Sequence, residues 1–291
     1  MERTTYKNRP AICIRKNRLS AVFLPEDGGK LVSLSDGEYE YLAQADGAEY
    51  KCLLPDGEYV AAECSGFDDM FPTIDPCTVD GYFYPDHGEV CRYPMEVLEA
   101  ESGFRFCFKS PSMPYVFSKT VLPAEGDSIV IKYCIENTSD KELPFIWAGH
   151  IMLKGDKAGE ILVPYLENAP IKQMFGEKMK EEADRYILKD YSKEGSSYKF
   201  YYTEPISDGW CGYRIKNRTV MFEYDAALVP YLGIWMNNGD FKGMYNVALE
   251  PCTAPYDSPE NAKKAGICSK IPARGKIEFE LIIKLSEEKS Y

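Results

Sequence analysis

The chain has 291 residues, 45% hydrophobic and 27% charged, and carries a formal net charge of -12 at pH 7. That balance belongs to a folded globular protein with a sizeable core and argues against disorder over most of its length. The negative charge repels phosphate backbones and anionic headgroups, and the one tight basic cluster, Arg15-Lys16-Asn17-Arg18, is short enough for a hairpin turn, so neither nucleic acid nor a membrane surface is an expected partner.

The run Met1 to Lys7 lacks the apolar core of a signal peptide, and no stretch approaches the ~18 apolar residues of a membrane helix, which predicts a soluble, cytoplasmic protein. Strand-length apolar runs then recur: Ala11 to Ile14, Ser20 to Leu24, Phe104 to Phe108, Ser128 to Ile135, Tyr198 to Tyr202, Thr219 to Tyr224, Tyr231 to Met236 and Lys276 to Leu285. Turn signals separate others. Asp36-Gly37 divides Lys30 to Ser35 from Glu38 to Leu42, Asp56-Gly57 marks a tight turn, and Glu125-Gly126-Asp127 divides Val116 to Leu122 from Ser128 to Ile135.

Phe104, Phe106 and Phe108 alternate with Arg105 and Cys107, as Ile277, Phe279 and Leu281 do with Glu278 and Glu280, the pattern of strands with one buried and one wetter face. The expected fold is all-β, a large antiparallel β-sandwich forming one domain over residues 1–291. A helix or excursion is expected from Ile171 to Lys193, where Met174, Phe175, Met179 and Ala183 fall near helical spacing. A shorter helix is expected after Asp257-Ser258-Pro259-Glu260, ending before Gly266. No strand-helix alternation with a Gly-rich phosphate loop supports a nucleotide-binding fold.

Ten cysteines are scattered without a Cys-x-x-Cys pair or zinc-finger spacing, so most are expected to be reduced and buried. The sequons at Asn137 and Asn217 then read as chance matches.

The two histidines sit in polar motifs, Pro85-Asp86-His87-Gly88-Glu89 and Trp147-Ala148-Gly149-His150. Histidine titrates nearest neutral pH, so His87 and His150 are candidates for proton transfer. A surface histidine in an acidic turn and a satisfied core histidine are their alternatives. Glu250 ends the apolar run Tyr245 to Leu249 and precedes Pro251, which stops a regular ladder; a carboxylate held there is open to desolvation and a raised pKa. Asp68, Asp69, Asp75, Asp80, Asp86 and Glu89 lack the loop spacing of a hard-cation site, which leaves solvated carboxylates as the simpler reading and no metal expected. Trp147, Trp235, Phe71, Tyr82 and Tyr84 offer flat faces for a sugar ring, or core packing.

Taken in order, Gly66-Phe67-Asp68-Asp69-Met70-Phe71-Pro72, Pro85-Asp86-His87-Gly88-Glu89, Gly149-His150, Gly233-Ile234-Trp235 and Ala248-Leu249-Glu250-Pro251 resemble the aldose 1-epimerase (galactose mutarotase-like) family from about Ala11 to Leu285. The resemblance implies a supersandwich and cofactor-independent exchange of sugar anomers, with Glu250 as base, His150 as acid and His87 as the first histidine of a sugar pocket. It would make His150 a protonated group held by a nearby carboxylate or hydroxyl, and Asp86 or Glu89 the tautomer-setting partner of His87. Asp69, Asp86, Glu89, Arg92, Trp147 and Trp235 are the candidate substrate contacts. The family's Asn-Arg pair before the first histidine has no counterpart here, and Arg92 is the arginine standing after it. The expected partner is a small-molecule sugar. A non-catalytic carbohydrate-binding or regulatory protein on the same fold is the alternative, and a polysaccharide lyase or hydrolase a third.

Overall fold

Alternating side chains build two large antiparallel sheets. In a computed structural model, which describes residues 2–164, 170–176, 187–189 and 194–287, the ten-stranded sheet runs in the order Glu2–Tyr6, Arg9–Lys16, Leu19–Leu24, Lys30–Ser35, Phe67–Met70, Ala148–Lys154, Tyr245–Cys252, Tyr231–Asn238, Ser196–Tyr202 and Ile171–Phe175. The nine-stranded sheet runs Ile187–Lys189, Glu160–Leu162, Trp210–Ile215, Arg218–Tyr224, Lys276–Glu287, Ser128–Asn137, Tyr115–Pro123, Gly103–Lys109 and Glu96–Ala100. The two sheets face each other through one apolar cluster. Phe23 of the first meets Phe104 of the second edge-on at 5.5 Å, and Trp147 meets Phe279 at 4.8 Å. The expected antiparallel β-sandwich is therefore present.

Local signals act as the pattern predicts. Glu125-Gly126-Asp127 turns Tyr115–Pro123 back onto Ser128–Asn137, with Gly126 at φ 72°. Phe104, Phe106 and Phe108 are buried while Arg105 and Cys107 on the other face are half-buried. The short helix is Pro259–Lys264, and its N-cap Ser258 accepts a hydrogen bond from the Asn261 backbone N–H. All ten cysteines are free, and six of them are buried: Cys13, Cys64, Cys77, Cys91, Cys211 and Cys252.

Two segments differ from expectation. Ile171–Phe175 is a strand, not a helix: it completes the edge ladder of Ser196–Tyr202, with a bulge between Gln173 and Phe175, and backbone pairing there overrides the side-chain spacing. Met179 and Ala183 lie outside the described residues. Glu38 to Leu42 makes only isolated bridges, because the Glu40 carboxylate accepts the backbone N–H groups of Leu34 and Leu42 that a regular ladder would use. No helix among the described residues is long and apolar enough to cross a membrane.

A buried ion pair ties the sheets together. Lys119, from the nine-stranded sheet, reaches Asp69, from the ten-stranded sheet, at 2.6 Å, and the Trp147 indole N–H donates to the other Asp69 oxygen at 3.1 Å. Removing one partner strands the other charge in the core. Lys119→Met is accordingly expected to lower unfolding free energy by about 3–5 kcal/mol in urea titration, and Lys119→Met with Asp69→Asn to recover much of it. Equal stability of the single and double variants would refute this account of the pair.

Candidate active site

Strand period and register set one row of side chains across the ten-stranded sheet. Asp68 pairs with His150. Between the next two strands, Ala148 pairs with Cys252 and Ile151 with Leu249, a register that sets His150 opposite Glu250. Glu250 pairs with Gly233, and Gly233 with Tyr201. The next row on the same face is Met152, Ala248, Trp235 and Lys199. Alternation does the sorting: His150 and Met152, Glu250 and Ala248, Tyr201 and Lys199 each lie two residues apart on one strand.

Loops bring the opposite wall. His87 adopts φ 56° in a turn, where Gly88 follows at φ 75° with Phe71 backbone atoms so close that no side chain fits. Its ring stacks on Tyr59 at 3.8 Å between centroids, and its Nδ1 lies 2.7 Å from Asp86 Oδ1. Tyr59 in turn donates to Asp68 at 2.8 Å, and Asp68 is paired to buried Lys30 at 2.9 Å. Between sheet row and loops lies a pocket of about 390 Å³ lined by His87, His150, Glu250, Lys199, Asp257 and Trp235, with Tyr59, Asp75, Met152 and Phe241 among its remaining walls.

Glu250 is fully buried and His150 is 6% exposed, so both sit in a setting of low polarizability. The two approach at 3.8 Å between Glu250 Oε1 and His150 Nε2. The other carboxylate oxygen, Oε2, receives Lys199 Nζ at 3.0 Å and the Tyr201 hydroxyl at 3.3 Å. Lys199 and Tyr201 also hold Asp257 Oδ1, at 2.9 and 2.7 Å. Glu250 Oε1, His150 Nδ1 and Trp235 Nε1 are buried without a hydrogen-bond partner among the described residues. Such groups are costly to leave unmet, and all three belong to residues that line this one pocket.

Burial raises the Glu250 pKa, with Asp257 adding to the rise and Lys199 opposing it. Burial depresses that of His150, helped by the positive character of His87, Lys199 and Lys30. Burial also works against the Lys199 charge, but Glu250 and Asp257 outweigh it and hold the ammonium above the ordinary lysine range. The expectation of a protonated His150 is thus corrected: its one close carboxylate does not compensate for desolvation, and the imidazole is neutral.

The structure gathers His87, His150, Glu250 and Trp235 at the pocket, with Asp86 behind His87. It does not bring the other candidates there. Asp69 and Trp147 lie on the core side, since Asp69 is one residue out of phase with Asp68. Glu89 accepts hydrogen bonds from Ser110, Ser112 and Tyr115 and leaves His87 to Asp86. Arg92 spends its guanidinium on the carbonyls of Leu54, Pro55, Gly57, Asp86 and Gly88, bracing the loops. Phe71 and Tyr84 are fully buried in the core, where Tyr82 packs from the edge. Lys199, Tyr201, Tyr59 and Asp257 were not among the candidates. A lone lysine inside Tyr198-Lys199-Phe200-Tyr201-Tyr202 was the available signal, because a charge on a strand buried on both faces needs a partner.

No protein-family model matches the chain, and no curated protein matches it. Solved structures do. A galactose mutarotase-like protein from Lactobacillus casei superposes with a TM-score of 0.66 at 18% identity, covering 95% of this chain and 100% of its own. A protein from Escherichia coli K12 provisionally named an aldose 1-epimerase gives 0.69 at 12%, covering 96% and 99%. A galactose mutarotase related enzyme from Lactobacillus acidophilus gives 0.65 at 14%, covering 96% and 100%. At these identities the likeness establishes the fold, a galactose mutarotase-like β-sandwich.

Gly233 has a structural duty in the row: a Cβ there would lie 2.4 Å from a ring carbon of Tyr201. Gly233→Ala is expected to cost about 1–3 kcal/mol in urea unfolding by overpacking, and Tyr201→Val on the same background to restore part of that loss. Strictly additive effects would show that the two positions do not collide.

Proposed function

We propose that the protein is a cofactor-independent aldose 1-epimerase acting on an aldose or modified sugar. The observation that carries this reading is the buried Glu250–His150 pair, 3.8 Å apart, with an unpartnered oxygen on one and an unpartnered nitrogen on the other beside the same pocket. Anomer exchange needs a base at the anomeric hydroxyl and a proton for the ring oxygen, and nothing else. The mutarotase-like fold of the neighbouring structures supports the same assignment.

The chemistry follows from the charge states. Glu250 Oε1 takes the proton of the anomeric hydroxyl as the C1–O5 bond opens to the aldehyde. A neutral imidazole serves the ring oxygen without first becoming imidazolium: one ring nitrogen gives its proton to O5 while the other receives the proton held by Glu250. Rotation about C1–C2 and reversal of the transfers close the ring on the other face. His87, oriented by Asp86, donates to a sugar hydroxyl, and Trp235 offers an apolar face to the ring.

Glu250→Gln and His150→Asn are each expected to slow exchange by about 100-fold to 10,000-fold, read by polarimetry or NMR exchange spectroscopy across neutral, acidic and phosphorylated sugars. Sugar binding and near-ultraviolet circular dichroism should persist. Because the base works ionised and burial raises its pKa, the acidic limb of the rate profile should lie above the ordinary 4.5 of a glutamate. Full activity in either variant removes that residue from its role. Binding without exchange in the unmutated protein would establish the carbohydrate-binding alternative instead.

A further inference from the structure

The reading of Glu250 as base leaves open why a carboxylate so deeply buried should be ionised, and which of its oxygens works. Lys199 bears on both. It reaches Glu250 Oε2 at 3.0 Å from the neighbouring row of the sheet, with its own side chain 9% exposed, while the Tyr201 hydroxyl, whose one proton lies nearer Asp257, stands 3.3 Å from the same oxygen. Asp257 anchors the pair from the loop before the short helix, through contacts of 2.9 Å to Lys199 and 2.7 Å to Tyr201. With Oε2 engaged by Lys199, Oε1 is left toward His150, without a hydrogen-bond partner among the described residues.

We infer that Lys199 is a positioning residue for Glu250, fixing one carboxylate oxygen so that the other is the proton acceptor and keeping that carboxylate charged in the pocket. This rests on the proposed epimerase role of Glu250. The charged and titratable groups facing Glu250 are Lys199 and Tyr201 from one strand, His150 from another, Asp257 and His87 from loops, and Cys252 from its own strand. Among these, Lys199 and His87 favour the ionised carboxylate, while Asp257 and burial oppose it.

Lys199 is therefore counterbalanced by Asp257, and the two positions should move the Glu250 midpoint in opposite directions. Lys199→Met removes the cation and leaves Asp257 facing the base. Asp257→Asn leaves the Lys199 charge undivided.

The test follows the Glu250 carboxyl carbon by NMR titration of the full chain with labelled glutamate, assigned by its loss in Glu250→Gln, alongside the pH profile of anomer exchange. Lys199→Met is expected to raise the midpoint and the acidic limb together by about one to three pH units. Asp257→Asn is expected to lower both. An unmoved midpoint in Lys199→Met overturns the inference, as does an unmoved midpoint in Asp257→Asn should the first variant fail to fold. If the midpoints move as expected while the unmutated protein exchanges no anomers, the hold of Lys199 on Glu250 stands and the epimerase reading falls.

Discussion

The antiparallel register between Ala148–Lys154 and Tyr245–Cys252 is the constraint on which the site depends. It sets His150 beside Glu250, and the flanking registers extend the line to Asp68 on one side and to Gly233 and Tyr201 on the other. A slip of one residue would turn Ile151 and Leu249 outward and bury His150 and Glu250 in the sandwich core. The apolar residues beside them prevent this: Ile151 and Leu249 are both fully buried, so the hydrophobic effect holds the register that sets the pocket row. Asp68 and Asp69 show the same parity in miniature. One serves the pocket through Tyr59 and Lys30, and the other serves the core through Lys119 and Trp147.

Electrostatically the site is a set of charges kept only by one another. Lys199, Glu250, Asp257 and Tyr201 share hydrogen bonds at a depth where each ion alone would be strongly disfavoured. His150 has no such support and is neutral. A second cluster lies behind the loop wall, where Lys30 pairs with Asp68 and Tyr50 donates to Asp27. Burial pushes Asp27 up to about 6 despite Lys30 and Tyr50, so this cluster changes charge nearer neutrality than an exposed aspartate would. It supports Tyr59 and, through the stacked ring, His87.

The strands were legible because period-two alternation and Gly-containing turns are local, and the capped helix because Ser258-Pro259 is local too. His87, His150 and Glu250 stood out as scarce or oddly placed polar residues, and the structure gathers them. What stayed hidden needed the register. Lys199 and Tyr201 become neighbours of Glu250 only across the intervening Tyr231–Asn238 strand, which no window along the chain reveals. The misplaced candidates fail for the converse reason. Glu89 and Arg92 are near His87 in sequence, yet a turn through positive φ at His87 and Gly88 sends them to other partners. The strand at Ile171–Phe175 was misread because an edge ladder leaves its side chains under weak constraint, and a short run of apolar residues fits either period.

The two walls of the pocket have different origins, and that has a consequence for how such a protein diversifies. His150, Glu250, Lys199 and Tyr201 stand on interior strands of a ten-stranded sheet, whereas Tyr59, His87, Asp75 and Asp257 come from the connections between strands. Insertions and exchanges accumulate most readily in connections, while a central strand admits few. The two walls are thus under different constraints: core packing on the far face fixes the strand-borne row, while the loop-borne wall can change its shape and polarity without disturbing the sheet.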